Sequence, residues 1–540
     1  MLKGKKYLGL FLAVILVGSI LRIYHLGRSS LWFDEAKSVI YSEKVNLKTI
    51  WTGIVDRYYP SPLYELFIHY WGELGNSEVV LRLSSVLFSV ISILAIYYLG
   101  GLLFDRKVGL LSAFILALSP LHVYYAQEAR MYSLIILLAV MTVYFLKRFL
   151  QSGRVVFCAW YSILHVLNIY THYMTILILF AEIVFFGLYW KRYRHLIVKW
   201  LVCHLIIFLF LIPWLIAILF KLKIVLEMGY SYWMPSYLPS MSLVNVLITL
   251  KNFSIGYNVP VWLCLSALLL FLLFFLRGIM NKKKREEISI LLCCLLIPVL
   301  TTFAISKFKI IYIDRHLIPS SIFYYIIVAS GISGLKRRYK ASIIIIIVIL
   351  TSFALRNYYR NYLPFSEFYH PGVHSKKDHR AAVSYVIKNF QKGDVIFHTC
   401  ENTAHPFEYY INIKGRERSV GSNRILPKGY ERIVLRASKD LNKLLPFEYD
   451  IHTHFIDRSG DIFIKDYERI WIVFSFWDFE RAVQPGSDQM RVISWMDNHY
   501  QRVEKKSFSG IDVYLHINKH KITERNSQNS YLSADILWDK

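Results

Sequence analysis

Eleven long apolar runs dominate this sequence and limit what it can fold into. Only segments that satisfy their own backbone hydrogen bonds can cross a bilayer, so runs of this length predict membrane-spanning helices. The runs lie near 7–22, 79–104, 108–120, 131–147, 155–173, 174–190, 200–220, 258–277, 288–306, 316–335 and 341–355. The third run is short and the fourth follows closely, which predicts a bent or partly inserted segment there. The sequence therefore predicts a mostly α, polytopic membrane protein with about 11 transmembrane helices.

Basic residues occupy alternate gaps between these runs. A net charge of +26 would suggest nucleic-acid binding in a soluble protein, but here its distribution matches the way membrane proteins encode orientation. With a cytoplasmic N-terminus, the inner segments hold 21 basic and three acidic residues; these segments are 1–6, 105–107, 147–154, 191–199, 277–287 and 336–340. The sequence predicts a multi-pass protein of the cell (plasma or inner) membrane, with membrane lipids and no nucleic acid as partners.

The same orientation places the C-terminal third outside the cytoplasm. Residues 356–540 are richer in charge and lack long apolar runs. Helical spacing over 378–390 and strand patterns near 395–397, 469–476 and 510–517 predict an extracytoplasmic soluble α/β domain. The predicted domains are thus a transmembrane domain over 1–355, with long outer loops 23–78 and 221–257, and the soluble domain over 356–540. Of six cysteines, only Cys400 lies in that soluble part, so no disulfide is expected within it.

Four polar motifs fall at outer helix ends. The orientation was set by Lys and Arg of the inner segments alone, so this placement is an independent observation. The side chains concerned are Asp34, Glu35, Glu128, Arg130, Tyr132, His172, Tyr173, Arg315 and His316. Chance would distribute such motifs over both faces, so their convergence indicates one site at the outer membrane surface.

Local geometry limits what these side chains can do. Asp34 and Glu35 point about 100° apart if they are helical, so only one of them can face a given reacting atom. Glu128 and Arg130 are two residues apart and do not pair with each other on a helix, whereas Glu128 and Tyr132 can share a face.

Each motif also has a structural interpretation, which the residues alone leave open. The acidic pair can be a solvated segment before a helix, and Arg130 can extend its guanidinium to the lipid interface. His172 can be a satisfied interfacial histidine, and Asp314-Arg315 can pair with other loops.

The stretch from Ser30 to about Ile183 resembles the membrane glycosyltransferases of the GT-C type. Within these it is most similar to the protein mannosyltransferase-like and lipopolysaccharide-core transferase-like branch (glycosyltransferase families 39 and 83). The matching elements are Leu31-Trp32-Phe33-Asp34-Glu35-Ala36, Pro62-Leu63-Tyr64, Ser77-Glu78 with Leu81-Arg82-Leu83, Gln127-Glu128-Ala129-Arg130-Met131-Tyr132, Tyr170-Thr171-His172-Tyr173, Arg315 with Pro319, and Asp378-His379-Arg380-Ala381-Ala382 with Gly393-Asp394.

This resemblance implies a reaction. A sugar passes from a polyprenyl-phosphate carrier to an acceptor hydroxyl at the extracytoplasmic face, with inversion at the anomeric carbon. Asp34 is the candidate base, Glu35 supports it, and Arg130 and Arg315 are candidates for the phosphate charge. Glu128, Tyr132, His172, Tyr173 and His316 are further candidates for binding substrate or phosphate. Family habit suggests mannose as the sugar, and the acceptor is a lipid, a glycan or a protein.

Two departures from the family bear on cofactors. Many relatives have His-Pro-Pro-Leu-Tyr where this chain has Pro60-Ser61-Pro62-Leu63-Tyr64, and Arg-Tyr where it has Arg315-His316. The first change removes a metal or phosphate contact, so both argue against a divalent metal, and no other cofactor is implied.

A lipid or polysaccharide transporter or flippase is the alternative from another functional class. Transporters generally place their polar groups near the middle of the membrane, at broken helices. Here the polar motifs gather at outer helix ends and a sizeable outer domain follows, which favours the enzyme.

Overall fold

The computed structural model describes most of the chain, in two packed units. The described residues are 2–42, 62–228, 242–308, 311–364, 373, 375–391, 394–398, 401–418, 432–434, 468–475, 493–494, 496–498 and 500–518. The first unit comprises Met1–Gly27 and Tyr41–His374, and the second comprises Arg28–Ile40 and Ser375–Lys540. The division expected from sequence lay at 355/356 and kept residues 23–78 together. That division stays a prediction; in the structure residues 28–40, which carry the acidic pair, pack with the C-terminal part, and the first unit extends to His374.

The first unit is helical throughout its described residues. Its helices are α1 (Leu2–Ile23), α2 (Phe33–Ser42, shared with the second unit), α3 (Leu63–Gly72), α4 (Glu78–Leu103), α5 (Arg106–Leu118), α6 (Pro120–Ala126), α7 (Tyr132–Ser152), α8 (Val155–Thr171), α9 (Ile176–Leu188), α10 (Trp190–Tyr193), α11 (Ile197–Met228), α12 (Leu243–Ile255), α13 (Val261–Ile279), α14 (Arg285–Ser306), α15 (Ile318–Ser333) and α16 (Arg337–Tyr359). Short 3₁₀ helices over Tyr173–Thr175 and Asp314–Leu317 precede α9 and α15.

Each of the eleven predicted apolar runs is helical. Among the described residues, seven helices are long and apolar enough to cross a bilayer, or eight if the bent pair α5–α6 is one span. Three of the predicted runs, in α1, α8 and α9, form shorter apolar helices. The mostly α, multi-pass fold class is confirmed, and the count of eleven spans stays a prediction.

The bend between α5 and α6 lies where the sequence suggested an irregular segment. The two helices meet at 61°. Ser119 accepts a hydrogen bond from the His122 backbone N–H, and Pro120 occupies the first position of α6, where a missing N–H costs nothing. Arg22 is fully buried and donates to the Leu116 and Ala117 carbonyls at 3.0 Å each. The last carbonyls of a helix lack intrahelical partners, so Arg22 supplies them where α5 stops.

On the predicted cytoplasmic side, an ionic network joins three helices. Glu286, at the start of α14, accepts from Lys147 of α7 at 2.6 Å and from Arg192 of α10 at 2.7 Å. The Tyr193 hydroxyl donates to the same carboxylate. Lys147 and Glu286 are both buried, and a buried charge is tolerated only when it is paired in this way. The positively charged inner segments are therefore fixed in part by one acidic residue.

Two further contacts bring spans close together. Gly278 of α13 and Gly331 of α15 face each other's helix, and a Cβ at either position would collide with a backbone carbonyl oxygen. Small residues of this kind allow helix backbones to approach closely in membranes. Cys158 of α8 and Cys203 of α11 form a disulfide between two apolar helices.

The second unit is a small α/β domain, as predicted. Its elements are α17 (His379–Asn389), β1 (Val395–His398), α18 (Glu401–Arg418), β2 (Arg432–Val434), β3 (Arg469–Ser475), β4 (Tyr500–Phe508) and β5 (Ile511–Asn518). The sheet order is β2-β1-β3-β5-β4, with β1 parallel to β2 and β3, and β5 antiparallel to β3 and β4.

Asp394 anchors the centre of this sheet. It accepts from the Arg469 guanidinium at 2.8 Å and from the indole N–H of the fully buried Trp471 at 2.7 Å. These charge-assisted bonds tie the start of β1 to β3. Asp378 caps α17 by accepting from the Ala381 backbone N–H at 3.1 Å, which is why that helix begins at the predicted position.

Candidate active site

The acidic pair lies at the first turn of α2, in the second unit. Glu35 is fully buried, and its carboxylate accepts a hydrogen bond from the Trp32 backbone N–H at 3.2 Å. This is the back-bonding half of a capping box, in which the third helical residue satisfies the N–H of the residue before the helix. Asp34, the second residue of the helix, is half-buried. The two carboxylates therefore differ in burial.

In the first unit, the turn between α6 and α7 is locked by Gln127. Its side-chain amide donates to the Arg22 carbonyl at 3.0 Å and to the Tyr24 carbonyl at 2.7 Å. The Tyr358 hydroxyl donates to the amide oxygen of Gln127 at 2.8 Å. Gln127 thus fixes the backbone that presents Glu128 and Arg130, a role that its place in the motif could not reveal.

Two histidines from separate helix ends meet in this unit. The imidazoles of His172, after α8, and His316, before α15, lie 4.8 Å apart between ring centroids. Tyr173 stacks on His172 at 4.9 Å. The His172 Nδ1 accepts from the Met174 backbone N–H at 3.3 Å, so neutral His172 carries its proton on Nε2. His316 Nδ1 is buried and has no hydrogen-bond partner among the described residues.

Two guanidiniums act on the same imidazole. Arg130 and Arg315 both lie close enough to His172 to repel its protonated form, and both act on His316 as well. Planar guanidiniums bind phosphate or carboxylate through paired hydrogen bonds. The arrangement can therefore receive an anionic group.

The turn that carries Arg315 is held by α12. The Asp314 carboxylate accepts from the Thr249 hydroxyl at 2.7 Å and from the Asn252 amide. Thr249 also bonds the Tyr312 hydroxyl at 2.8 Å. Of the two predicted alternatives for Asp314-Arg315, loop pairing is what Asp314 does, and Arg315 is the next residue of the same turn.

The other candidates in this unit surround these groups. Tyr132 is buried and packs edge-on against Tyr125, with ring centroids 4.7 Å apart. Tyr173 lies near both Tyr132 and Arg315, while Glu128 acts electrostatically on the neighbouring Tyr124 and Tyr125. The first unit therefore brings Glu128, Arg130, Tyr132, His172, Tyr173, Arg315 and His316 into one region, and Asp34 and Glu35 belong to the second unit.

A buried lysine that was not among the predicted site residues lies beside this region. Lys251 of α12 lies in the predicted outer loop 221–257, outside the predicted spans, and donates to the Gly256 carbonyl at 3.2 Å. Burial lowers the pKa of Lys251 to about 8. Its ammonium lies 6.0 Å from the Tyr257 ring, and the Tyr257 hydroxyl bonds that of Tyr125 at 3.0 Å. A lone lysine within the apolar stretch Leu243–Ile255 was the available signal.

Within the described ranges, no group of three or more His, Cys, Asp or Glu side chains is arranged to hold a metal ion. Pro60 and Ser61 lie outside these ranges, so the sequence departure there stays a prediction.

The chain is similar to one protein-family model and to solved structures that share its fold. Residues 60–217 match the family model described as dolichyl-phosphate-mannose-protein mannosyltransferase. ArnT from Cupriavidus metallidurans, in the apo state, is similar over 95% of this chain and 98% of its own, with a TM-score of 0.57 and 10% identity. The chain has a GT-C fold. The resemblance to GT-C membrane glycosyltransferases noted in the sequence is thereby confirmed.

Two further solved structures are similar to this GT-C chain. ArnT bound to undecaprenyl phosphate matches with a TM-score of 0.55 and 11% identity, over 94% of this chain and 98% of ArnT. The apo oligosaccharyltransferase of Archaeoglobus fulgidus matches with a TM-score of 0.47 and 12% identity, over 75% of this chain and 63% of its own. No curated protein matches the sequence. The family model covers the stretch with Glu128, Arg130, Tyr132, His172 and Tyr173, whereas the other candidates lie outside the match.

Proposed function

We propose that this chain is an integral-membrane glycosyltransferase that moves a sugar from a polyprenyl-phosphate carrier to an acceptor hydroxyl at the extracytoplasmic face. The GT-C fold and the family match over 60–217 support the enzyme class. The donor class is carried over from relatives, since one ArnT structure holds undecaprenyl phosphate and the family model is named for a dolichyl-phosphate sugar. Mannose as the sugar follows the same family habit.

The convergence of Arg130 and Arg315 on the His172–His316 pair carries this proposal. A lipid-phosphate leaving group develops charge as the glycosidic bond breaks, and guanidiniums held in place stabilise that charge. The Nε2–H of neutral His172 is a further donor for a phosphate oxygen. The Thr249 hydroxyl and the Asn252 amide donate to the carboxylate of the neighbouring Asp314 and so hold the turn that carries Arg315.

The proposed reaction is a displacement at the anomeric carbon. The acceptor O–H attacks the anomeric carbon, and the Asp34 carboxylate takes its proton. The new C–O bond forms on the face opposite the phosphate, and the bond from the anomeric carbon to the phosphate oxygen breaks, which inverts the configuration. The polyprenyl phosphate leaves with the electron pair, facing Arg130 and Arg315. Glu35 keeps Asp34 at the helix start, since its own carboxylate holds the Trp32 N–H.

Sugar transfer by the purified full-length protein tests this proposal. The protein in detergent is supplied with defined polyprenyl-phosphate sugars and lipid, glycan or protein acceptors. Asp34→Asn should lower the rate by about 10²- to 10⁴-fold, as expected for loss of a general base. Arg130→Gln and Arg315→Gln should each lower it by about 10²-fold or more. Asp105→Asn, at the predicted cytoplasmic start of α5, is the matched control and should transfer normally.

Equal transfer by wild type and Asp34→Asn would show that Asp34 is not the base. The bent pair α5–α6 favours the transporter alternative, because broken helices are frequent in transporters. If no donor supports transfer but labelled polyprenyl phosphate crosses vesicles that contain the protein, the transporter is the correct function.

A further inference from the structure

We infer that the C-terminal unit positions the acidic start of α2. The segment 377–380 and α18 hold residues 28–33 in place by hydrogen bonds and a ring contact. The inference rests on the proposed function, because it assigns a role in catalysis to contacts of the segment that carries Asp34. It concerns residues Arg28–Ile40 and Ser375–Lys540, which pack as one unit.

Ser30 is held from both sides by backbone of the C-terminal part. Its hydroxyl donates to the Lys377 carbonyl at 2.5 Å and accepts from the His379 backbone N–H at 3.0 Å. Ser30 is buried, so both bonds replace contacts with water. The Arg380 guanidinium adds a bond to the Arg28 carbonyl at 3.3 Å. A hydroxyl that both donates and accepts fixes its backbone in two directions, four residues before Asp34.

The sheet in turn fixes the segment that holds Ser30. The Asp378 backbone N–H donates to the Ser509 carbonyl, in the turn between β4 and β5, at 2.9 Å. The Lys377 ammonium donates to the Ser475 hydroxyl, at the end of β3, at 2.9 Å. Gly510 has φ +70°, and a Cβ there would come within 2.8 Å of Lys377 Cγ, so the lysine stem fits only against glycine. Ser30 therefore connects to the centre of the sheet by an unbroken series of bonds.

Helix α18 holds the next residues. The Leu31 backbone N–H donates to the Tyr410 hydroxyl at 2.7 Å, and Leu31 itself is fully buried. The His405 ring stacks on Phe33, with centroids 5.4 Å apart and planes 30° apart. The residues that flank Trp32 are thus each fixed by α18, and Trp32 supplies the N–H that Glu35 caps.

These contacts act on the backbone rather than on the Asp34 carboxylate. A base must lie within hydrogen-bond reach of its proton, and a displacement of about 1 Å can cost about 10²-fold in rate. Ser30 and Tyr410 are therefore positioning residues. Their loss should lower kcat while KM for the donor changes little, because no bond to the substrate is removed.

The experiment compares Ser30→Ala and Tyr410→Phe with two controls in the full-length protein. Ser30→Thr keeps the hydroxyl and should restore the wild-type behaviour. Tyr514→Phe removes a hydroxyl in β5 of the same unit, one that bonds Asp512 and not the acidic segment. We expect Ser30→Ala and Tyr410→Phe to lower kcat by about 10- to 100-fold, with KM within about threefold. Both controls should keep wild-type kcat.

Hydrogen exchange provides a readout that does not depend on the reaction. Amides of residues 31–36 should exchange about 5- to 10-fold faster in Ser30→Ala and Tyr410→Phe, the change expected for one lost hydrogen bond, while exchange in α7 stays constant. If wild type transfers no sugar but this exchange rises, the proposed function is wrong, while the contacts that hold residues 31–36 are confirmed. If exchange rises but kcat is unchanged, or if neither changes, the positioning role is overturned.

Discussion

Asp34 and Glu35 are neighbours in the chain but differ in surroundings. Glu35 is buried and bonded to the Trp32 N–H, whereas Asp34 is half-buried on the same first turn. The sequence could predict that only one of the two faces a reacting atom, because neighbouring helical residues diverge. It could not say which, because the capping bond depends on where α2 begins.

The first prediction at this scale concerns Glu35. Glu35→Gln keeps an oxygen that can accept from the Trp32 N–H, so transfer should stay within about tenfold of wild type. Glu35→Ala leaves that N–H without its acceptor and should lower the free energy of unfolding by about 1–3 kcal/mol. Thermal unfolding of the purified variants measures this difference. A Glu35→Gln rate as low as that of Asp34→Asn would mean that Glu35 takes part in proton transfer.

A second residue, His379, predicts acid sensitivity. Burial, with a smaller contribution from Lys377, lowers the pKa of His379 to about 3 in the folded protein, against about 6.5 in an unfolded chain. Between these values the unfolded chain binds a proton that the folded chain does not. Stability is therefore complete above pH 6.5 and falls as pH decreases, by up to about 1.4 kcal/mol per pH unit down to about pH 3.

Thermal unfolding between pH 7.5 and pH 4.5 measures this effect. His379→Gln should show a flatter dependence on pH than wild type, because the titrating group is gone. His195→Gln changes an exposed histidine of the first unit and should follow the wild-type curve. Identical pH curves for wild type and His379→Gln would contradict the assignment.

At the scale of elements, the helices were predictable and the break between α5 and α6 was predictable only in part. Apolar runs locate helices because a backbone in lipid must form its hydrogen bonds within its own segment. In the sequence, Arg22 is the charged residue at the end of the first predicted span. In the structure it is buried and donates hydrogen bonds to the last carbonyls of α5. These contacts join residues about 95 positions apart, so no local pattern records them. Lys251 was missed for a similar reason, since its surroundings come from the packing of α12.

Arg22 should be essential for the break. Arg22→Met removes the Arg22 bond to the Ala117 carbonyl and one of two bonds to the Leu116 carbonyl, which still accepts from the Ser119 N–H, so we expect a cost of about 1–3 kcal/mol. Arg22→Lys should be intermediate, because an ammonium lacks the forked geometry of a guanidinium. The control is Arg154→Met, which removes an exposed arginine before α8. Thermal unfolding in detergent gives the order of stability, and an Arg22→Met protein as stable as the control would show that other groups supply these carbonyls.

At the scale of the molecule, charge patterning predicts the orientation. The network around Glu286 gathers Lys147 and Arg192 at one end of α7 and α14, and Arg130 and Arg315 lie beyond the opposite ends of these two helices. The packing of residues 28–40 with the C-terminal unit could not be predicted. Its hydrogen bonds join residues 347 to 379 positions apart, and nothing in the short segment indicates its partner.

Labelling in intact cells tests the orientation. Lys283→Cys, in the predicted inner segment 277–287, should react with a membrane-impermeant maleimide only after the cells are opened. Ser384→Cys, in α17, should react in intact cells once any outer membrane is removed. The parent protein controls for its native cysteines. Labelling of Lys283→Cys in intact cells would show that the topology is the reverse of the predicted one.

The division of the chain into packed units also sets how relatives could be recombined. A chimera that exchanges only the C-terminal region would separate Ser30 and Leu31 from the segment 377–380 and from α18, which they contact. A compatible exchange needs two further crossovers, near 27/28 and 40/41, in addition to the C-terminal one. The thirteen residues 28–40 are then exchanged together with the C-terminal region. For chain engineering, the acidic signature and the C-terminal region therefore form one module, although more than three hundred residues separate them.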